Sequence, residues 1–247
     1  MRRLGQHFLS DRGILGRIVD ALDPVPGETV LEIGPGKGTL TDVLLERGLK
    51  VIAIEKDRAL AAQLAGRENL TVIEGDALKV DWPPAGKIIG NIPYYITSPL
   101  IDKALTPPLP GRVVFLVQEE VADRVAAPPG NKTYGALSVG VQAVCGVEKL
   151  FTVAPGAFRP PPKVRSAVLR LTPLAAPLIR PEEVAPFRAF VTACFGKRRK
   201  QLKNAVPGLT EADLEALGID PTLRAERLPP ADFVRLLRHH PASRVYP

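Results

Sequence analysis

The sequence has few of the residues that mark secreted or metal-binding proteins. Its 247 residues include two cysteines, one methionine and one tryptophan. Cys145 and Cys194 have no CxxC partner and no histidine close by in the chain, so we predict two reduced, buried thiols and no metal site. This cysteine usage indicates a reducing compartment, and we expect a cytoplasmic protein.

Long hydrophobic runs are also lacking. The longest apolar runs, such as residues 113–117, fall far short of the roughly 20 residues that cross a bilayer. Residues 1–3, Met-Arg-Arg, are followed by no hydrophobic segment, so we expect neither secretion nor membrane insertion. The length allows one large domain, or one large and one small domain.

Acidic residues are scarce in one stretch of the chain. Residues 159–203 carry 11 basic and two acidic side chains, a net charge of +9, whereas the rest of the chain has a net charge of −2. This distribution predicts a surface that binds a polyanion. A solvated helix face is the alternative interpretation.

Hydrophobic periodicity divides the chain into two parts. Before residue 173, short β-branched runs alternate with helical stretches, which predicts a parallel sheet with crossover helices. Strands are predicted at 29–33, 50–54, 70–74, 87–90, 112–117, 149–153 and 164–171, and helices at 12–22, 39–47 and 57–65. Beyond residue 173 helices are predicted at 182–205, after Thr210 and from 230 onward. We therefore predict an α/β domain over 1–173 and a small all-helical domain over 174–247.

A glycine-rich turn lies between the first predicted strand of the sheet and the following helix. Gly34, Gly36 and Gly38 allow a tight turn and let a ligand approach the backbone. Glu55 ends the next strand, where a carboxylate can accept both hydroxyls of a ribose. The two features indicate a nucleoside-containing cofactor, which could be NAD or S-adenosylmethionine.

Residues at the ends of two further strands distinguish between NAD and S-adenosylmethionine. Asp76 follows the third strand, where an acid suits an adenine amino group, and Asn91 follows the fourth. A second mononucleotide-binding half, which a dinucleotide would need, is missing from the sequence. The pattern favours S-adenosylmethionine and hence a Rossmann-like methyltransferase domain, although each carboxylate could alone be a solvated side chain after a strand.

Residues 91–94, Asn-Ile-Pro-Tyr, carry the most specific chemistry. The lone pair of an aromatic amino group is delocalised into its ring, so the nitrogen is a poor nucleophile. The side-chain carbonyl of Asn91 and the backbone carbonyl of the following residue can accept hydrogen bonds from the two amino hydrogens. The lone pair of the nitrogen is then free for in-line attack on a sulfonium methyl. Pro93 stiffens the turn and Tyr94 can stack on the base. The alternative is a tight turn with a core tyrosine.

Seven blocks spread over nearly the whole chain resemble the ribosomal RNA adenine N6,N6-dimethyltransferases of the KsgA type. They are residues 5–9, 32–41, 91–94 with 98–100, 118–124, 134–139, 158–164 with 166–168, and the basic run 195–204.

This resemblance implies dimethylation of two adjacent adenosines in a hairpin loop near the 3′ end of 16S ribosomal RNA, within the assembling small ribosomal subunit. We expect the protein to be a monomer. It implies that His7 and Leu9 close over the cofactor, that Gly34 lines its methionine end, and that Asn91 lies at the methyl-transfer centre, while Glu55 and Asp76 meet the ribose and the adenine. The family often has asparagine where His7 stands. The expected RNA-binding residues are Arg159, Lys163, Lys197, Arg198, Arg199, Lys200 and Lys203.

Three alternatives share part of this pattern. A 23S ribosomal RNA adenine methylase of the resistance type shares the chemistry of the Asn-Ile-Pro-Tyr motif. Pro99 and residues 160–164 favour the small-subunit family instead. DNA adenine methylases tend to carry an acid or asparagine before Pro-Pro-Tyr, so the Asn-Ile-Pro-Tyr of residues 91–94 fits them less well. A non-catalytic RNA-binding assembly factor would not need every cofactor position that is present here.

Overall fold

A computed structural model describes residues 7–197, 200–206 and 208–239. The chain forms two compact units. The first contains residues 1–105, 109–122 and 148–172, and the second contains residues 106–108, 123–147 and 173–247.

Nine strands and ten α-helices are found in the described residues. The strands are β1 (Phe8–Leu9), β2 (Thr29–Ile33), β3 (Lys50–Glu55), β4 (Leu70–Glu74), β5 (Lys87–Asn91), β6 (Arg112–Gln118), β7 (Cys145–Val153), β8 (Phe158–Arg159) and β9 (Ser166–Pro173). The helices are α1 (Arg12–Ala21), α2 (Thr39–Glu46), α3 (Arg58–Leu64), α4 (Thr97–Ala104), α5 (Glu119–Ala126), α6 (Ala136–Gln142), α7 (Val184–Gly196), α8 (Leu202–Ala205), α9 (Glu211–Ala216) and α10 (Pro230–His239).

The main sheet has seven strands in the order β4-β3-β2-β5-β6-β9-β7. Strands β2 to β6 pair in parallel, and β9 runs antiparallel to β6. The five residues 113–117 of β6 are at most 1% exposed, as expected for a strand buried on both faces. The predicted Rossmann-like α/β fold is confirmed.

Local signals fix the starts of helices α1 and α3. Asp11 accepts a hydrogen bond from the Ile14 amide at 3.0 Å at the start of α1, and Asp57 accepts one from the Ala59 amide at 2.9 Å at the start of α3. Such side chains satisfy amide groups that have no partner within the helix. Helices α1, α2 and α3 begin and end within one residue of the predicted bounds 12–22, 39–47 and 57–65.

The second unit contains more of the chain than the predicted domain 174–247. Residues 123–147 belong to it as well. Tyr134 is fully buried and its hydroxyl donates to the Leu228 carbonyl at 2.9 Å, while the Gly130 amide donates to the Glu226 carbonyl at 2.7 Å. These bonds span almost a hundred residues, so periodicity within a short window does not reveal them.

The single helix predicted over 182–205 is wrong. Helix α7 ends at Gly196, Lys197 has φ −118° and ψ 58°, and helix begins again at Leu202. Residues 197–200 in the sequence are four consecutive cations following a glycine, and like charges close together on a helix are destabilising. Phe195 itself stacks on Phe233 at a centroid distance of 5.8 Å.

Candidate active site

Four neighbouring parallel strands bring the predicted site residues to one edge of the sheet. Ile33 at the end of β2 lies opposite Ile54 of β3 and Gly90 of β5, and Glu55 lies opposite Glu74 of β4. The carboxyl ends of parallel strands form the usual ligand crevice of such folds.

A cavity with about 1080 Å³ of empty space, including its open mouth, lies at this edge. Ligand sites commonly have a volume of several hundred Å³. Its lining includes every predicted cofactor-binding and catalytic residue: His7, Leu9, Gly34, Gly36, Glu55, Asp76, Asn91, Pro93 and Tyr94. The structure therefore brings together residues that lie up to 87 positions apart in the sequence.

The glycine-rich turn needs glycine at its cavity face. Gly34 and Gly36 have φ of +68° and +58°, a region that side chains disfavour. A Cβ at Gly34 would meet nothing within 4 Å, so that face is open to a ligand, whereas a Cβ at Gly36 would lie 2.8 Å from the Phe8 ring. The Gly34 amide donates to the Ile54 carbonyl at 2.9 Å and continues the β2–β3 ladder into the turn.

Glu55 is held in place by backbone groups. Its Oε2 accepts from the Gly36 amide at 2.9 Å and its Oε1 from the Asp57 amide at 2.8 Å, and the residue is 4% exposed. Each carboxylate oxygen can accept a second hydrogen bond. Glu55 is thus a fixed acceptor in the cavity wall.

Asp76 is also fixed through both oxygens. Its Oδ2 pairs with the Lys56 ammonium at 2.8 Å, and its Oδ1 accepts from the Leu78 amide at 3.0 Å. The hydrogen bond from Lys56 holds the pKa of Asp76 below its ordinary value. Asp76 is therefore ionised and remains a hydrogen-bond acceptor at neutral pH.

Glu32, which is not among the predicted site residues, also lines the cavity. It is 1% exposed, and its Oε2 accepts from the Thr41 hydroxyl at 2.7 Å. Burial raises the pKa of Glu32 to about 8. The signal for it was an acid in the middle of an otherwise apolar strand.

Asn91 and His7, which also line the cavity, are joined by a hydrogen bond. The Asn91 side-chain amide donates to the His7 carbonyl at 2.9 Å, and His7 Nδ1 lies 2.8 Å from the Pro160 carbonyl oxygen. Strand β1, which follows His7, pairs antiparallel with β8. The segment before α1 is thereby tied to the Asn-Ile-Pro-Tyr turn and to the proline loop.

Tyr94 lies half-buried next to His7. The two rings stack with centroids 5.9 Å apart and an interplanar angle of 28°. The Tyr94 hydroxyl shares a hydrogen bond of 2.8 Å with Ser166, and burial raises the pKa of Tyr94. Pro93 begins the turn that carries Tyr94, and its carbonyl accepts from the Ile96 amide at 3.1 Å.

The predicted RNA-binding residues fall in both units. Arg159 and Lys163 are exposed in the first unit, and Lys197 and Lys200 are exposed in the second. Lys203 pairs with Glu211 at 2.6 Å. Arg198 and Arg199 lie outside the described residues. Elsewhere in the basic stretch, Arg165, Arg170 and Arg180 form ion pairs with glutamates of the chain.

The two cysteines are free and buried, as predicted. Burial raises the pKa of the Cys145 thiol to about 12. Across residues 7–197, 200–206 and 208–239, no three His, Cys, Asp or Glu side chains are grouped so that they could hold a metal ion. Within the same ranges, every helix is too short or too polar to span a membrane.

Comparisons with known proteins identify relatives of the whole chain. The family model "Ribosomal RNA adenine dimethylase" matches residues 1–240. "Ribosomal RNA small subunit methyltransferase A" of Aromatoleum aromaticum is 46% identical, with 96% of this chain and 93% of the relative covered.

Two solved structures share the fold over both units. A dimethyladenosine transferase from Plasmodium falciparum is 32% identical with a TM-score of 0.83, covering 94% of this chain and 96% of that one. The 23S rRNA methyltransferase ErmE is 29% identical with a TM-score of 0.73, covering 94% and 99%. With matches of this extent, the chain belongs to the ribosomal RNA adenine dimethylase family.

Proposed function

We propose that the protein dimethylates the N6 amino groups of two adjacent adenosines in a hairpin loop near the 3′ end of 16S ribosomal RNA, with S-adenosylmethionine as methyl donor. The observation that carries this proposal is the position of Asn91 in the same cavity as Glu55 and Asp76. We further propose that it acts as a cytoplasmic monomer on the assembling small ribosomal subunit.

The cavity residues fit S-adenosylmethionine. The ribose hydroxyls and the adenine amino group are hydrogen-bond donors, and Glu55 and Asp76 are ionisable acceptors already oriented by backbone amides. The open face at Gly34 leaves room for the methionine end, and His7 and Leu9 line the same cavity. When bound, S-adenosylmethionine supplies an electrophilic methyl group on a sulfonium.

Asn91 supports the transfer chemistry through the orientation of its amide. Because its NH₂ group donates to the His7 carbonyl, the amide oxygen remains as the acceptor for an amino hydrogen of the target base. The Ile92 amide donates to the Leu116 carbonyl at 3.0 Å, which holds the peptide that follows Asn91. An amino group held through its hydrogens presents its lone pair for in-line attack.

Exposed cations support binding of the RNA backbone. We propose that Lys163 contacts a phosphate, whereas Arg170, which forms two hydrogen bonds with Glu148 at 2.9 and 2.8 Å, does not. With about five phosphate contacts overall, log K against log salt should have a slope of about −3.5 to −4.5.

The salt dependence can be tested with a matched pair of variants. Lys163→Gln should make the slope shallower by about 0.7 to 0.9, and Arg170→Gln should leave it unchanged. A slope near zero for the wild type would contradict electrostatic binding by these residues.

The function itself is tested by supplying two acceptors. The protein is incubated with methyl-labelled S-adenosylmethionine and either small or large ribosomal subunits that lack adenine methylation. Label is expected in the small subunit only. Label in the large subunit would support a 23S ribosomal RNA methylase like ErmE, and label in neither would support a non-catalytic assembly factor.

A further inference from the structure

Tyr95 is an aromatic side chain left exposed at the cavity. It is 63% exposed, the highest value among the large hydrophobic residues in the described part of the chain, and it lines the same cavity as Tyr94. Exposed aromatic side chains at a binding cavity are common contact points for ligands, because they offer a large apolar face.

The backbone that carries Tyr95 is anchored although its ring is not. The Ile96 amide donates to the Pro93 carbonyl at 3.1 Å, and the Thr97 hydroxyl donates to the Pro93 and Tyr94 carbonyls at 3.4 and 3.3 Å. Thr97 is 1% exposed. The ring of Tyr95 is therefore presented from a fixed turn and is open to a partner on its exposed side.

The two adjacent tyrosines differ in their surroundings. Tyr94 is half-buried, stacked on His7 and hydrogen-bonded to Ser166, whereas Tyr95 is mostly in solvent. Lys56 lines the cavity too, where its ammonium pairs with Asp76 at 2.8 Å. The exposed face of Tyr95 suits stacking on a base.

We propose that Tyr95 stacks on the unpaired nucleotide adjacent to the target adenine. The inference rests on the proposed function. An enzyme that modifies a base must remove it from its stack, which leaves the neighbouring base without its stacking partner. Tyr95 supplies a replacement face one residue from the turn that receives the target. In the proposed substrate, that neighbour is the second adenosine to be methylated.

The test compares Tyr95→Ala with Tyr95→Phe, and uses Val25→Ala as a control, since Val25 is 59% exposed and does not line the cavity. Steady-state methyl transfer to unmodified small subunits is measured together with the Kd for S-adenosylmethionine. Tyr95→Ala should raise KM for the subunit about 5- to 150-fold, the range expected for loss of one base stack. Tyr95→Phe should behave like the wild type, and no variant should change the Kd.

Three results would overturn the inference. They are an unchanged KM in Tyr95→Ala, a Tyr95→Phe variant as impaired as Tyr95→Ala, and a Tyr95→Ala variant that has lost S-adenosylmethionine binding. The second would mean that the hydroxyl matters and the ring face does not. Failure of the proposed function is distinguishable, because the wild type would then label no small subunit.

Discussion

The cavity has a proposed cofactor side, formed by Glu55 and Asp76, and a proposed target side, formed by Asn91 and Tyr94, and the two are built in different ways. On the cofactor side, Glu55 and Asp76 are held by partners 2 to 20 residues away in the chain. On the target side, Asn91 is held by His7, 84 residues away, and Tyr94 by Ser166, 72 residues away. The cofactor side therefore depends on turns at strand ends, and the target side on contacts between distant segments.

This difference fits the roles proposed for the two sides. The carboxylates of the cofactor side are fixed by backbone amides and Lys56, so they are oriented before a ligand binds. The target-side groups contact His7 in the segment before α1 and Ser166 at the start of β9. Substitutions on the cofactor side should alter S-adenosylmethionine binding, and those on the target side should alter transfer.

The largest effect is expected from Asn91→Ala. The variant loses the acceptor proposed for the target amino group, and kcat should fall about 100- to 1000-fold, as for loss of a positioned polar group in other active sites. The Kd for S-adenosylmethionine should change by only a few fold. Asn131→Ala, an exposed asparagine in the second unit, serves as control. Near-normal turnover would remove Asn91 from the mechanism.

A pH-dependent effect is expected from Glu32 on the cofactor side. Its pKa is about 8 in the folded protein against an ordinary value of 4.5, so the unfolded chain ionises first as pH rises. The wild type should lose stability between pH 4.5 and pH 8 relative to Glu32→Gln, which does not titrate. Between pH values below 4.5 and pH 7, the unfolding free energy of the wild type should fall by about 3 kcal/mol relative to that of Glu32→Gln.

Glu183 in the second unit provides a control of opposite sign. Hydrogen bonds from Arg238 and Arg180 hold the pKa of Glu183 well below its ordinary value. Its stabilisation is present above the unfolded pKa and is lost as the pH falls, so Glu183→Gln should weaken the protein most at neutral pH. Denaturant unfolding at several pH values measures both variants, and parallel pH profiles would contradict this account.

Glu55→Gln should weaken S-adenosylmethionine binding about 10- to 100-fold. The glutamine side chain has no negative charge and one acceptor oxygen fewer, although the backbone amides of Gly36 and Asp57 still need acceptors there. Glu74→Gln is the matched control, since Glu74 pairs with Glu55 in the sheet but is exposed and does not line the cavity. Equilibrium dialysis gives the Kd. An unchanged Kd with slower transfer would reverse the assignment of the two sides.

The smallest effect is expected from Tyr94→Phe, which loses the hydrogen bond to Ser166 but keeps the ring. A neutral hydrogen bond contributes about 0.5 to 1.5 kcal/mol, so kcat/KM should fall no more than about 10-fold. Tyr94→Ala also loses the stacking face and should cost about 1 to 3 kcal/mol more. Equal rates for the two variants would mean that the ring does not receive the base.

The cofactor side could be predicted closely from the sequence. Strand periodicity and the glycine turn predict where β2, β3 and β4 end, and parallel register then brings Glu55 and Asp76 together. Glu32 was not predicted as a site residue, although an acid within a mostly apolar strand is a signal that the sequence contains.

The target side was predicted only in part. Residue types identified Asn91 and Tyr94, but nothing in a short window indicates that His7 would bond to Asn91 and stack on Tyr94. The same holds for residues 123–147, which join the helical unit through contacts such as that of Tyr134 with Leu228. Contacts at long sequence separation depend on tertiary packing, which periodicity does not encode.

The central claim is that a methyl group passes from S-adenosylmethionine on one side of the cavity to N6 of an adenine on the other side. Its most direct test is the identity of the product. Small subunits lacking the modification are incubated with the protein and S-adenosylmethionine, and the RNA is digested and analysed as nucleosides by mass spectrometry. The account predicts N6,N6-dimethyladenosine at two adjacent positions near the 3′ end of 16S ribosomal RNA. Methyl groups on another base or another atom of adenine, or no methylated nucleoside, would contradict it.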